Sequence, residues 1–180
     1  MKVLPTLGLL AAVAMASLAP AHAQTAGAGD TLVIETNKGE IDVKLRPDLA
    51  PKHVAQIEAL AKEGFYDGVV FHRVIDGFMA QTGDPTGTGM GGSDKPDLKA
   101  EFSDTPFKRG TVGMARAQDP NSANSQFFIM LADGDFLNGQ YTVVGEVTKG
   151  MDVVDKIKKG DEANNGTVEN PDKMVKVQTR

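Results

Sequence analysis

The chain has 180 residues, a formal net charge of −5 at pH 7, 41% hydrophobic residues, and neither cysteine nor tryptophan. That length suits one ordinary domain with a substantial apolar core, and the acidic balance argues against nucleic acid as a partner, because phosphate binding needs a basic patch. Without cysteine there is no disulfide framework and no lipid-modified start, so stability has to come from packing.

The first residues read as an export address. Lys2 supplies a positive start, a largely apolar run covers residues 7–18, and Ala21-His22-Ala23 offers a small-x-small cleavage site. A membrane anchor is the weaker reading, since the run is shorter than the roughly 20 residues a spanning helix needs and Pro20 closes it. The expectation is a signal peptide over residues 1–23, a mobile lead-in over 24–30 and one folded domain over 31–180. The destination would be the periplasm, with release from the cell left open and no membrane association once the signal is removed.

Residues 32–36 and 40–45 form two strand-like runs joined by Asn37-Lys38-Gly39. In the second, Ile41, Val43 and Leu45 alternate with polar neighbours, which predicts a hairpin with one buried face. The period then changes. Val54, Ile57, Leu60 and Ala61 share one helical face, Pro51 suits the first turn and Gly64 suits the stop. Short strands are predicted over residues 69–75, 78–82, 111–116, 127–131 and 142–147, a second helix over 151–158, and a last strand over 174–177. With few long helices between them, these strands favour a mainly β fold, a closed antiparallel β-barrel with two α-helices.

Several motifs invite functional readings. Gly87-Thr88-Gly89-Met90-Gly91-Gly92 satisfies GxGxxG, but Ser93-Asp94-Lys95-Pro96-Asp97 continues as loop where a dinucleotide fingerprint would open a helix. Loop geometry is the better reading of these glycines. Asn165-Gly166-Thr167 matches a glycosylation acceptor, yet in so Asn/Gly-rich a stretch it reads as a turn. His53 and His72 lack partners at metal-ligand spacing, and Ser125 lacks the GxSxG elbow.

The informative run is Phe71-His72-Arg73-Val74-Ile75-Asp76-Gly77-Phe78-Met79-Ala80-Gln81, echoed by Asn124-Ser125-Gln126-Phe127-Phe128-Ile129. It sets one arginine among apolar residues with no carboxylate pair, thiol or metal cluster, which suits a fixed hydrogen-bond donor in an apolar pocket. Alternation places Phe71 with Arg73, Met79 with Gln81, and Gln126 with Phe128 on common faces. A strand devoted to the core would not point Arg73, Gln81 and Gln126 into it.

Together these blocks resemble the cyclophilin family of peptidyl-prolyl cis/trans isomerases. The likeness extends through Phe65-Tyr66-Asp67-Gly68, Phe136-Leu137-Asn138-Gly139 and Val144-Gly145-Glu146-Val147. It implies an eight-stranded antiparallel barrel capped by two helices, with an outer groove that receives an extended X-Pro segment. Carried over residue by residue, it makes Arg73 catalytic, and lines the pocket with Phe78, Met79, Gln81, Ala115, Gln126, Phe128 and Leu137. The backbone of Arg116 would flank the peptide, and Phe136 and Tyr141 would form walls. No metal or cofactor is implied. The partners would be proline-containing peptides and unfolded exported proteins, met by a monomer.

Three departures from the family pattern carry consequences. Phe136 stands where many eukaryotic relatives have Trp, which removes an indole donor and predicts weak cyclosporin binding. Tyr141 stands where His is common, and Asp76 replaces a usual Pro. The short Gly-rich loop and the length of residues 117–124 resemble the bacterial exported branch. Two rival readings use the same residues: a non-catalytic proline-peptide module or holdase, and a hydrolase built on Ser125 and His72.

Overall fold

The computed structural model describes residues 29–180. The expected signal peptide and most of the lead-in lie outside the described residues. Among those described, no helix is long and apolar enough to cross a membrane.

The chain builds β1 (Thr31–Thr36), β2 (Gly39–Leu45), α1 (Pro51–Lys62), β3 (Arg73–Ile75), β4 (Met79–Thr82), β5 (Thr111–Met114), β6 (Phe127–Met130), β7 (Val143–Lys149), α2 (Met151–Asp155) and β8 (Met174–Thr179). Short 3-10 turns occupy Asp135–Leu137 and Glu162–Asn164. The strands form one eight-stranded sheet in the order β3-β4-β6-β5-β7-β2-β1-β8, antiparallel throughout.

This corrects the expectation of a closed barrel: the sheet is open and strongly curled. No continuous ladder joins β3 to β8. Val69 and His72 lie outside the strand predicted for them, and the seam is crossed by single bonds from Gly68 N–H to Met174 O, Met174 N–H to Val69 O, and Phe71 N–H to Asp172 O. The cause is local. Asn170 has a left-handed φ of 51° and Pro171 has no N–H, so β8 cannot extend backwards into a regular ladder.

α1 shows the predicted boundaries. Pro51 sits in its first turn, and Gly64 (φ 72°) ends it, with Gly64 N–H bonded to Ala61 O and Phe65 N–H to Leu60 O. This pair of bonds is a Schellman motif, which a residue without Cβ adopts at least cost. The N-terminal N–H groups of Lys52 and His53 donate to the Glu101 carboxylate, a cap supplied from far along the chain. α2 is shorter than predicted. Its end tightens into a 3-10 turn through Ile157 N–H to Val154 O, while the next N–H, from Lys158, is taken by Asp172 Oδ2 at 2.8 Å.

Period-two alternation sorts the apolar residues into two clusters. Ile34, Ile41, Val43, Leu60, Phe71, Ala80, Val112, Phe127, Ile129 and Val144 fill the inside of the curl. Met79, Phe107, Phe128, Met130, Leu137 and Val143 form a second cluster, packed against Phe78, Ala115 and Tyr141. Thus β6 sends Phe127 and Ile129 one way and Phe128 and Met130 the other. Full burial of each such side chain contributes roughly 1.5–3 kcal/mol, so this second face is itself well anchored.

Candidate active site

Cross-strand pairing places Arg73 opposite Gln81, Gln81 opposite Phe128, and Phe128 opposite Gly113. One transverse row of the sheet therefore runs from a cation through an amide to an aromatic ring. The row then passes through a glycine, Gly113, before reaching Val143, because the Phe128 ring needs the space: a Cβ on Gly113 would lie 2.6 Å from both Phe128 Cζ and Phe107 Cε1. Those two rings stack at 5.8 Å, and Tyr141 meets Phe128 edge-on, also at 5.8 Å.

Arg73 is held on both sides. Its Nη1 donates to Gln81 Oε1 (3.2 Å), its Nε to Asn165 O (3.0 Å) and its Nη2 to Asn165 Oδ1 (3.0 Å). A guanidinium carries five N–H donors, so one remains on each terminal nitrogen. Burial lowers the guanidinium's pKa from its ordinary value, but from so high a starting point that it stays cationic.

The polar chain continues beyond Gln81. Gln81 Nε2 donates to Gln126 Oε1 (2.9 Å), and Gln126 Nε2 donates to the carbonyls of Gly89 (3.1 Å) and Gly91 (2.8 Å). These glycines belong to the GxGxxG run, whose N–H groups turn inward to the fully buried carboxylate of Asp84. It accepts from Thr86 N (2.8 Å), Thr88 N (3.1 Å), Gly89 N (2.6 Å) and Gly91 N (3.1 Å). Burial alone would raise the Asp84 carboxyl, but these donors and the Thr86 hydroxyl outweigh it and hold the pKa at about 2. The motif is thus a nest around the protein's own carboxylate, and the donors that a phosphate would need are already committed.

A cavity of about 120 Å³ lies over the second cluster, lined by Arg73, Phe78, Met79, Gln81, Ala115, Arg116, Phe128, Leu137 and Tyr141. A wider depression of about 460 Å³ adjoins it, sharing Gln81, Ala115 and Arg116 and bounded by Met90, Asn124 and Gln126. Gln126 therefore serves the wider depression and not the apolar pocket. Phe136 stands outside the lining, 64% exposed, with its ring 5.4 Å from that of Phe78. The Arg116 side chain is spent on the wall: its guanidinium lies 4.5 Å over the Tyr141 ring and donates to the carbonyls of Ala117, Gln118 and Gln140.

Other candidates fall away. Ser125 is fully buried with its hydroxyl donated to Gly83 O at 2.8 Å, so it is no nucleophile and the hydrolase reading is set aside. His72 is buried, and burial holds its imidazole below the ordinary pKa. His53 Nδ1 pairs with Glu101 Oε2 at 2.6 Å at the start of α1, a structural contact. Sequence reasoning misses two contributors: Asp84, which shapes the glycine loop, and Asn165, which the sequence pattern marks only as a turn residue. The Asn-Gly dipeptide did signal a left-handed backbone, and Asn165 has φ 54°. Nothing local signalled its contact with Arg73.

The cyclophilin-type peptidyl-prolyl cis-trans isomerase model matches residues 31–179. A relative named "Probable peptidyl-prolyl cis-trans isomerase" from Brucella suis is 61% identical over 93% of this chain and 92% of its own length. A peptidyl-prolyl cis-trans isomerase of Helicobacter pylori is 47% identical over 71% of this chain and 80% of its own. Among solved structures, a Cryptosporidium parvum cyclophilin crystallised in the presence of the dipeptide Ala-Pro is similar with a TM-score of 0.77 and 29% identity, covering 83% of this chain and 98% of that one. The chain belongs to the cyclophilin-type peptidyl-prolyl cis-trans isomerases. It is an enzyme that interconverts the cis and trans forms of X-Pro bonds.

Proposed function

We propose that the protein accelerates X-Pro rotation during the folding of exported polypeptides, with Arg73 donating a hydrogen bond to the proline nitrogen. The observation that carries this reading is the guanidinium held by Gln81 and Asn165 beside an apolar pocket, with one N–H left on each terminal nitrogen. Rotation about an X-Pro bond breaks amide resonance, at a barrier of ~18–20 kcal/mol. In the twisted transition state the nitrogen becomes pyramidal and regains a lone pair. A donor aimed there stabilises the twisted form and not the planar one.

The apolar walls act in the same direction. The planar amide has the larger charge separation, so a low-dielectric pocket favours the twisted state, while Phe78, Met79, Phe128 and Leu137 grip the ring. Turnover near ~10³ s⁻¹ corresponds to a barrier of about 13 kcal/mol, which asks the site for roughly 5–7 kcal/mol. One placed donor contributes ~2.7–4 kcal/mol, and orientation and desolvation can supply the remainder.

The extended groove formed by the pocket and its neighbour suits an X-Pro segment, and the relative crystallised with Ala-Pro supports that class of ligand. The leader over residues 1–23 supports a periplasmic site of action on unfolded exported chains. Exchange NMR on a short X-Pro peptide tests the chemistry: acceleration by the wild type that collapses in a folded Arg73→Ala variant is expected, and undiminished exchange in that variant removes Arg73 from the mechanism. Export is tested separately, by fractionating cells that express the full chain and determining the N-terminus of the product, expected at Gln24.

A further inference from the structure

We infer that Asn165 is a positioning residue for Arg73, and that the loop over residues 160–168 acts as a strap setting the arginine's donor geometry. The inference rests on the role proposed for Arg73. Asn165 reaches the guanidinium with two different atoms, its backbone oxygen on Nε and its side-chain oxygen on Nη2, both at 3.0 Å. Two bonds from one residue to one planar fork fix its rotation as well as its position. Gln81 alone, bonded only to Nη1, leaves the plane free to swing.

The backbone makes this two-point grip possible. Asn165 is left-handed at φ 54°, a conformation Asn and Gly adopt readily and most other residues do not. The strap is tied to β3 on both flanks of Arg73: Val74 N–H donates to Gly166 O (2.8 Å), Gly160 N–H to Val74 O (2.8 Å) and Val168 N–H to His72 O (3.1 Å). Gly166 is buried and sits so close to Ile75 that a Cβ there would collide with it. Asn165 itself is exposed. Its side chain is therefore dispensable for the core, and its oxygen has one evident task.

The test compares four variants of the full-length protein by exchange NMR and thermal unfolding. Asn165→Gly keeps the left-handed backbone and the Nε bond while deleting the side-chain acceptor. It is expected to lower kcat by about ten- to hundredfold, the scale of a small misplacement, with KM and Tm little changed. Separate terminal N–H signals of Arg73 in the wild type at low temperature should average together in this variant. Asn165→Asp retains an acceptor at the same place and should restore kcat to within about threefold of wild type. Arg73→Ala combined with Asn165→Gly should be no slower than Arg73→Ala alone.

Wild-type kcat in Asn165→Gly overturns the inference while leaving Arg73 in place. A parallel fall of kcat, peptide affinity and Tm that Asn165→Asp fails to rescue also overturns it, in favour of a merely structural loop. Wild-type kcat in Arg73→Ala overturns the reading of Arg73, and this inference with it.

Discussion

Gln81 stands directly opposite Arg73 in the β3–β4 ladder, and its side-chain oxygen accepts from Arg73 Nη1 at 3.2 Å while its amide nitrogen donates to Gln126 Oε1 at 2.9 Å. An amide is needed here, because the residue must accept on one side and donate on the other. Gln81→Glu keeps an acceptor for Arg73 but has no donor for Gln126, whose amide oxygen would then face a carboxylate oxygen. Its expected effect is about a tenfold loss of kcat with an unchanged fold, read by exchange NMR on an X-Pro peptide and by far-UV circular dichroism.

Arg73→Lys tests whether charge alone suffices. Lysine keeps the cation but cannot engage Asn165 at two points while still offering a donor to the groove. Activity should fall by roughly 10²–10³, the range for removing one preorganised donor. Near-wild-type turnover would show that a point charge is enough.

Gly113 supplies the space under the pocket. Gly113→Ala would drive a methyl group into both Phe107 and Phe128, and overpacking of this kind costs about 1–3 kcal/mol. Chemical denaturation should register that loss. Because Phe128 lines the pocket, KM for a proline peptide should rise as well.

Acid should weaken the glycine loop. The Asp84 carboxyl is held at about 2 in the folded protein, against ~3.9 for a free aspartate. A depressed carboxylate pKa adds stability that is complete above the unfolded value and is lost as pH falls towards the folded one, here between about pH 4 and pH 2. The contribution is about 2–3 kcal/mol. Glu101 behaves alike: burial opposes ionisation, but donors from His53 and the backbone of Lys52 outweigh it and lower its pKa. His72, lowered by burial, begins to subtract stability on acidification through about 6.5. Asp84→Asn should flatten the lowest part of the stability–pH curve, measured by denaturant titration from pH 7 down to pH 2.

Phe136 offers an exposed ring without a polar donor at the rim of the pocket. Phe136→Trp adds an indole N–H, and cyclosporin, expected to bind the present chain weakly, should bind about tenfold tighter, the value of one hydrogen bond. Calorimetric titration of both proteins checks this. Equal affinities would remove Phe136 as the cause of weak binding.

Much of the fold was legible locally. The β1–β2 hairpin, α1 from Pro51 to its stop at Gly64, and the alternation in β6 all follow from periodicity and turn chemistry, whose signals lie within a few residues. The pocket residues were legible through resemblance. Alternation rightly grouped Met79 with Gln81, but it also grouped Phe71 with Arg73, and Phe71 is buried in the inner cluster because it precedes β3 and does not share its alternation. The open seam was not legible, because it depends on Asn170 and Pro171 interrupting β8 beside a segment distant in the chain.

By itself, then, the sequence determined which residues would be apolar or polar on each element, and that a single arginine would stand in apolar surroundings. Only the tertiary structure decided how that arginine is aimed. Asn165 lies 92 residues from Arg73, Gln126 lies 45 from Gln81, and the carboxylate that caps α1 comes from Glu101, 48 residues from His53. Periodicity reports which way a side chain faces on its own element. It carries no information about which distant oxygen it will meet, because that partner is chosen by the curl of the sheet and the docking of loops onto its edge.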